Sequence, residues 1–305
     1  MMVAFRALAA GVANVLRAPM VLVLAAIATV ATVVPFGLVL GDRVQTALAH
    51  QPPIDLAAQE IDAEWWMHFR AQARGLESTF APTIIGFAAP LDNVSALLDR
   101  SPRPAVLAVP VILYLSVWAF LWGGAIDRFH ESRGTPQTFL SAGSRHFRKM
   151  FAISALAAAI VLLLYATLHR LLFEAVYPTL AEAVVVERDA FAVRVGLYLV
   201  FGLLLAAVSV IADYTRVHVV RNPATSVRSA LVGAVAYVRA HPGSVLALFL
   251  LTALLFVLLM MLYGLADRRL GGWRAILASQ AFIVGRLTLR MLTAASQVQL
   301  VRHTT

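Results

Sequence analysis

The sequence predicts an all-α, polytopic helical membrane bundle with about six transmembrane helices, arranged as three hairpins each preceded by a cytoplasmic amphipathic surface helix. Three observations carry this expectation. The 305-residue chain is 61% hydrophobic and only 13% charged, whereas soluble domains carry about 25% charged residues. Its apolar residues fall in blocks of roughly 20, the length a helix needs to cross about 30 Å of hydrocarbon. Its basic residues gather in alternate connections between the blocks, as they do in membrane proteins.

The first block, 19–40, follows a basic start containing Arg6 and Arg17. It is longer than the roughly 7–15 apolar residues of a signal peptide and ends well before Ala47-Leu48-Ala49, so it reads as an uncleaved span. An outer segment, 41–103, follows; it is too short and polar for an independent domain. It is expected to hold an amphipathic helix over 55–75, a loop marked by Pro82, Gly86 and Pro90, and a short helix over 92–98. Trp65, Trp66 and Phe69 suit the headgroup region, which is apolar for the ring and wet at its edge. Further spans are predicted at 104–126, 150–172, 191–211, 244–265 and 275–297, with a kink at Pro110 in the second. The chain forms one membrane domain, 1–305.

Three spans are introduced by similar stretches, AGVANVLRAPMVLVL, SAGSRHFRKMFAIS and VGAVAYVRAHPGSVLAL, whose arginines are Arg17, Arg148 and Arg239. Helical spacing places Phe5, Leu8, Val12 and Val15 on one face of the first, Phe139, Gly143, Phe147 and Met150 on the second, and Val227, Leu231, Ala234 and Val238 on the third. Each stretch is expected to lie along the membrane surface before its span. Asp127 and Asp213 close the preceding spans at comparable places, as helix-end pairing groups or as proton or cation ligands; Asp127 has Arg128 or Arg290 as candidate partners.

Charge in the connections orients the chain. Residues 42–103 carry five basic and eight acidic side chains, and 170–194 carry three and four; 127–149 carry five and two, and 213–239 four and one. The basic loops and both termini are therefore assigned to the cytoplasm of a bacterial inner (plasma) membrane, with 267–274 and its three arginines as the exception.

The net charge of +9 belongs to short loops that meet anionic headgroups, and no basic stripe alternates with exposed aromatics, so nucleic acid is excluded as a partner. The absence of cysteine removes disulfides and thiolate chemistry. No hydrolase, nucleotide or cofactor motif is present, so no cofactor and no enzymatic activity are expected. Glu60, Glu64 and His68 recur every four residues, but without a second histidine or HExxH they read as a solvated face and no metal is assigned.

The last span is the anomaly. Arg286 and Arg290 each cost about 2.5–3.5 kcal/mol at a helix centre, while each Leu, Ile or Val returns about 0.3–0.6. Ser279, Arg286, Arg290, Thr293 and Gln297 share one helical face. That face must point into the bundle or into a wet cavity: the arginines pair with buried acids or carbonyls or snorkel to the surface, or they receive an anionic group such as a lipid phosphate. His169, Arg170 and Glu174 mark the outer end of the third span as an interfacial anchor.

The stretch VLRAP before the first span, DAEWWMHF and STFAPTIIGFAAPLDN outside, GGAIDRFHESRGTPQTFLSAGSRHFRKMF, IADYTRVHVV and RLTLRM together resemble an uncharacterised family of bacterial six-span integral membrane proteins. The layout is also distantly similar to the membrane domain attached to some glycerophosphodiesterases. That resemblance implies the layout alone, because no hydrolase domain is attached. Two functions follow as expectations. The first is a non-enzymatic envelope assembly or regulatory component with a membrane protein partner and anionic membrane lipids at its basic loops. The alternative is a transporter or lipid-handling protein recognising an anionic group through the polar face of the last span.

Overall fold

The computed structural model describes residues 1–49, 63–80, 88–99, 105–131, 135–270 and 272–304. Among these there are only helices: α1 Met2–Leu16, α2 Pro19–Ala49, α3 Ala63–Gln72, α4 Ala88–Leu98, α5 Ala108–Glu131, α6 Pro136–Leu164, α7 Tyr177–Glu182, α8 Glu187–Arg221, α9 Val227–Ala240, α10 Pro242–Asp267 and α11 Trp273–Thr304. Two π-helical stretches, Tyr165–His169 and Leu171–Val176, join α6 to α7 without a break. Six helical segments, built on α2, α5, α6–α7, α8, α10 and α11, are long and apolar enough to cross a membrane. Their most apolar windows are only 11–22% buried, which inverts the arrangement of a soluble core and leaves their outer faces to lipid. The chain is a multi-pass membrane protein.

Each span runs past the apolar block that predicted it, because helix continues into polar ends once the termini are satisfied. α6 shows the reason locally. Thr135 and Thr138 exchange side-chain to backbone hydrogen bonds, with Pro136 at the first helical position, where its missing N–H costs nothing. The second surface stretch is thereby continuous with its span. Pro110 does not kink α5: it lies in the first turn, after a 3₁₀ turn at Ala105–Leu107, where no N–H is required. A proline inside α2, Pro35, is the true mid-helix interruption.

α2 packs on α5, α6 on α8 and α10 on α11, as three hairpins require. The entry helices do not pack mainly on their own hairpins. The start of α6 lies on α5, α9 lies on α8, and α1 lies on α11, so each entry helix covers the last span of the preceding unit and α1 closes the series. Small residues permit this approach. A Cβ added at Gly143 would come within 2.8 Å of the Phe120 ring, and one at Gly11 within 2.2 Å of Ser296 Oγ. Gly11, Gly143 and Gly233 each precede the arginine of their repeat by five or six residues; at Gly233 the nearest atom, His218 Nδ1, is 3.9 Å away.

The packed face of α6 is the expected one, with Phe139, Gly143 and Met150 buried. On α1 the buried face is Ala4, Ala7, Gly11 and Val15, while Phe5 and Val12 point outward. On α9 it is Ala230, Ala234 and Tyr237. On α1 small residues make most of the packed face; on α9 that face includes Tyr237, and Val227 and Val238 of the expected face also pack against the core.

Outside the spans, the described part of the first predicted outer helix is α3. Trp66, Phe69 and Phe80 form an aromatic trio with centroids 5.7–6.0 Å apart. Pro82, Gly86, Glu60 and the side chains of Glu64 and Trp65 lie outside the described residues, so the Glu60, Glu64 and His68 set does too. α4 starts four residues before its predicted helix and includes Pro90.

The end of α4 is pinned to the bundle. Tyr165 hydroxyl donates to Leu97 O, and His169 Nε2 donates to Leu98 O at 2.8 Å. Tyr198 hydroxyl donates to Asp99, whose carboxylate also faces Arg194 at 3.7 Å. The Tyr198 hydrogen bond, helped by Ser95 and Arg194 against some desolvation, holds the Asp99 carboxyl below its ordinary range. A depressed folded value means that the pin is complete above the ordinary aspartate value of about 3.9 and is lost as pH falls through the folded one. Backbone hydrogen exchange of α4, corrected for intrinsic rates, should therefore be constant from pH 7 down to about 4 and accelerate below it. In Asp99→Asn it should lose that pH dependence.

Candidate functional site: an arginine groove between α8, α10 and α11

Arg286 and Arg290 straddle the midpoint of α11, about 20 and 26 Å along a helix of about 48 Å at 1.5 Å per residue. Both line a cavity of about 380 Å³ between α8, α10 and α11. Asp213, Tyr214 and Ser209 contribute from α8; Leu248, Phe249, Thr252 and Phe256 from α10; and Thr293 and Gln297 from α11. The groove runs from mid-helix to within about two turns of the face that carries both termini.

Arg290 is held by aromatics, and among the described residues no acid touches it, although Asp213 attracts it through space. Its Nη1 donates to Tyr114 hydroxyl at 2.8 Å, and its Cζ lies 3.5 Å from the centroid of the Trp118 ring and 5.2 Å from that of Trp122. A desolvated cation over an indole face gains about 2 kcal/mol or more. Stacking engages the guanidinium face and leaves its edge N–H groups free apart from the one given to Tyr114. Tyr114, Trp118 and Trp122 recur every four residues on α5, with successive centroids 5.9 and 5.7 Å apart, so one stripe of that helix supplies the whole cradle. Tyr114 also lines a separate, largely apolar cavity between α2 and α5.

Asp213 is occupied elsewhere. It pairs with Arg216 one turn on, Arg216 Nη2 donates to Ser154 Oγ at 3.3 Å, and Gln297 Nε2 donates to the second Asp213 oxygen at 3.4 Å. Arg216 also lies 5.5 Å from the Trp122 ring, so Trp122 stands between two guanidiniums. Arg286 is exposed to the groove. Its Cζ is 5.8 Å from the Phe282 ring, and among the described residues it has no hydrogen bond or ion pair.

Four of the five residues singled out on the last span, Arg286, Arg290, Thr293 and Gln297, thus meet at one cavity. Ser279 does not; it accepts or donates a 3.0 Å hydrogen bond with Tyr263 and bonds Ala275 O, which fastens the α10–α11 turn. Thr293 gives its hydroxyl to Leu289 O. Neither Arg286 nor Arg290 pairs with an acid or a carbonyl among the described residues. Asp127 pairs with neither Arg128 nor Arg290: it faces His146 Nε2 at 3.7 Å, beyond hydrogen-bond distance, while Arg128 donates to Arg17 O at 3.4 Å. Arg290 is too far toward the middle of α11 to reach the end of α5. Arg170 pairs with Glu174 at 3.3 Å, at the exposed surface.

Sequence reasoning missed the α5 cradle and the Asp213–Arg216 pair. Both had signals, aromatics at intervals of four inside a span and opposite charges three apart, but neither signal says which helix it faces.

Fold and site define a polytopic helical membrane protein with a basic, aromatic-walled groove at mid-span. Comparisons with protein-family models, curated proteins and solved structures return no match, and none of them bears on the likeness to glycerophosphodiesterase membrane domains.

Proposed function

We propose that this is a non-enzymatic lipid-handling protein of a bacterial inner membrane, with both termini cytoplasmic, that receives an anionic headgroup in the groove between α8, α10 and α11. One observation carries the reading: Arg286 and Arg290 line a cavity at the depth of the spans, and among the described residues neither forms an ion pair with a carboxylate. A guanidinium in hydrocarbon is costly unless it is paired or wet, so an anion in the groove lowers its free energy. The apolar wall formed by Leu248, Phe249 and Phe256 of α10 suits the attached hydrocarbon. The other expectation, an assembly or regulatory component, gives no account of two guanidiniums without an ion pair among the described residues. The orientation rests on the basic loops alone.

Lipid retained through purification tests the reading. Wild type, extracted from membranes of mixed zwitterionic and anionic lipid, should retain anionic species selectively in native mass spectrometry. Arg286→Leu with Arg290→Leu should reduce that retention by about tenfold or more, the equivalent of about 1.4 kcal/mol. Arg286→Leu alone should weaken it without loss of folding, since no hydrogen bond or ion pair among the described residues is broken and only the contact with the Phe282 ring is lost. Equal retention by wild type and the double variant would sink the proposal.

A further inference from the structure

The charge and donor inventory of the groove narrows its ligand beyond a generic anion, on the assumption that the anionic-lipid reading holds. Two guanidiniums, Arg286 and Arg290, and one carboxylate, Asp213, line it, and a third guanidinium, Arg216, stands beside Asp213. Arg216 and Asp213 satisfy each other, and Gln297 takes the second Asp213 oxygen. Arg286 and Arg290 therefore form no ion pair among the described residues, and Arg290 feels Asp213 only through space. The two arginines lie one helical turn apart on one face, where Cβ atoms are about 5–6 Å apart, so their guanidiniums can converge on a single group. Arg290 is fixed by Tyr114 and Trp118, with edge donors unspent; Arg286 makes no hydrogen bond among the described residues and can swing to meet it.

The remaining polar groups sort the same way. Thr252 and Thr293 hydroxyls are spent on backbone carbonyls. Tyr214 lines the groove, and its buried hydroxyl has no partner among the described residues. The charged donors open to a ligand are therefore those of Arg286 and Arg290, and the single lining carboxylate is already engaged.

A monoanion, such as a phosphodiester headgroup, neutralises one of two charges in a low-dielectric site and leaves the other exposed. A phosphomonoester carries nearly two negative charges above its second pKa of about 6 and offers three acceptor oxygens. We infer that the groove is selective for a phosphomonoester dianion carried on a hydrocarbon tail, with the phosphate between Arg286 and Arg290 and the tail along Leu248, Phe249 and Phe256. The cavity of about 380 Å³ lies at the small end of ligand pockets and fits one such headgroup.

The charged and titratable residues facing the site are Asp213, Tyr214 and Arg216 from α8, Tyr114 from α5, and Arg286 and Arg290 from α11; none of its lining from α10 is charged. No histidine lines the groove, so a pH effect between about 5 and 8 belongs to the phosphate and not to the protein.

Competition in nanodiscs of zwitterionic lipid, containing wild-type protein, tests this directly. Phosphatidic acid should bind about tenfold or more tighter than phosphatidylglycerol of identical chains at pH 8, and the preference should disappear at pH 5, where the monoester has become a monoanion. Arg286→Gln should retain binding of both lipids but bring their ratio at pH 8 to about one. Equal affinity for the two lipids at pH 8 would overturn the dianion inference while leaving the anionic-lipid reading intact. Binding of neither would overturn both. Displacement of phosphatidic acid by inorganic phosphate at comparable concentration would overturn the tail, making this a site for free phosphate, and a preference for cardiolipin over phosphatidic acid would overturn the single-headgroup geometry.

Discussion

Asp213→Asn should move stability and ligand affinity in opposite directions. In detergent without anionic lipid the variant should lose about 3 kcal/mol, the lower end for breaking a buried ion pair by removing one partner. The lower end applies because the Asp213 and Arg216 side chains retain 26% and 12% exposure. Arg216 then keeps the amide oxygen at position 213, Ser154 and the Trp122 face, but no counter-charge. The same change adds a third guanidinium without an ion pair beside the groove, so anionic lipid should bind tighter by about tenfold and restore much of the lost stability through linkage. Thermal unfolding in zwitterionic nanodiscs with and without an anionic lipid reads both effects in one experiment. A destabilised variant that anionic lipid fails to rescue would mean that the groove is only a packing defect. Replacing both partners, Asp213→Leu with Arg216→Met, separates the terms: stability should return toward wild type, since a buried pair is replaceable by apolar groups, while the affinity gain should vanish.

The spans and their hairpin order were legible because hydrophobicity is written along the chain in blocks. The polar face of α11 was legible for the same reason: five polar residues at helical spacing on an apolar background need no partner to be seen. What the sequence could not carry was which surface each face meets. Phe5 and Val12 outrank Ala4 and Ala7 on any hydrophobicity scale, yet the small residues are buried, because helix–helix contact within a bilayer rewards close backbone approach and the large apolar side chains lose nothing by facing lipid. The same indifference hid the cradle. Trp118 and Trp122 could equally have been lipid-facing aromatics, and only the approach of α11 to α5 turns them into a seat for Arg290. Asp127 had Arg128 or Arg290 as candidate partners, whereas the packing of α6 on α5 sets it facing His146.

The position where that packing logic is most exposed is Gly11. A Cβ there would stand 2.2 Å from Ser296 Oγ, 2.9 Å from Ser296 N and 3.0 Å from its Cα. The hydroxyl can rotate away; the backbone atoms cannot, so α1 must lift from α11. Gly11→Val should therefore cost more than the about 1–3 kcal/mol of ordinary overpacking, because the burial of Ala4, Ala7 and Val15 is lost with it. The expected results are a lower unfolding temperature and new tryptic cleavage after Arg6 and Arg17. Ser296→Ala removes the nearest atom only and should rescue the variant in part. Gly196→Ala in α8 is the internal control: nothing lies within 4 Å of its added Cβ, and helix propensity favours alanine by about 1 kcal/mol, so its stability should be unchanged or higher. If both glycine variants behaved alike, the close approach of α1 to α11, and with it the closing of three repeated units into one bundle, would have to be abandoned.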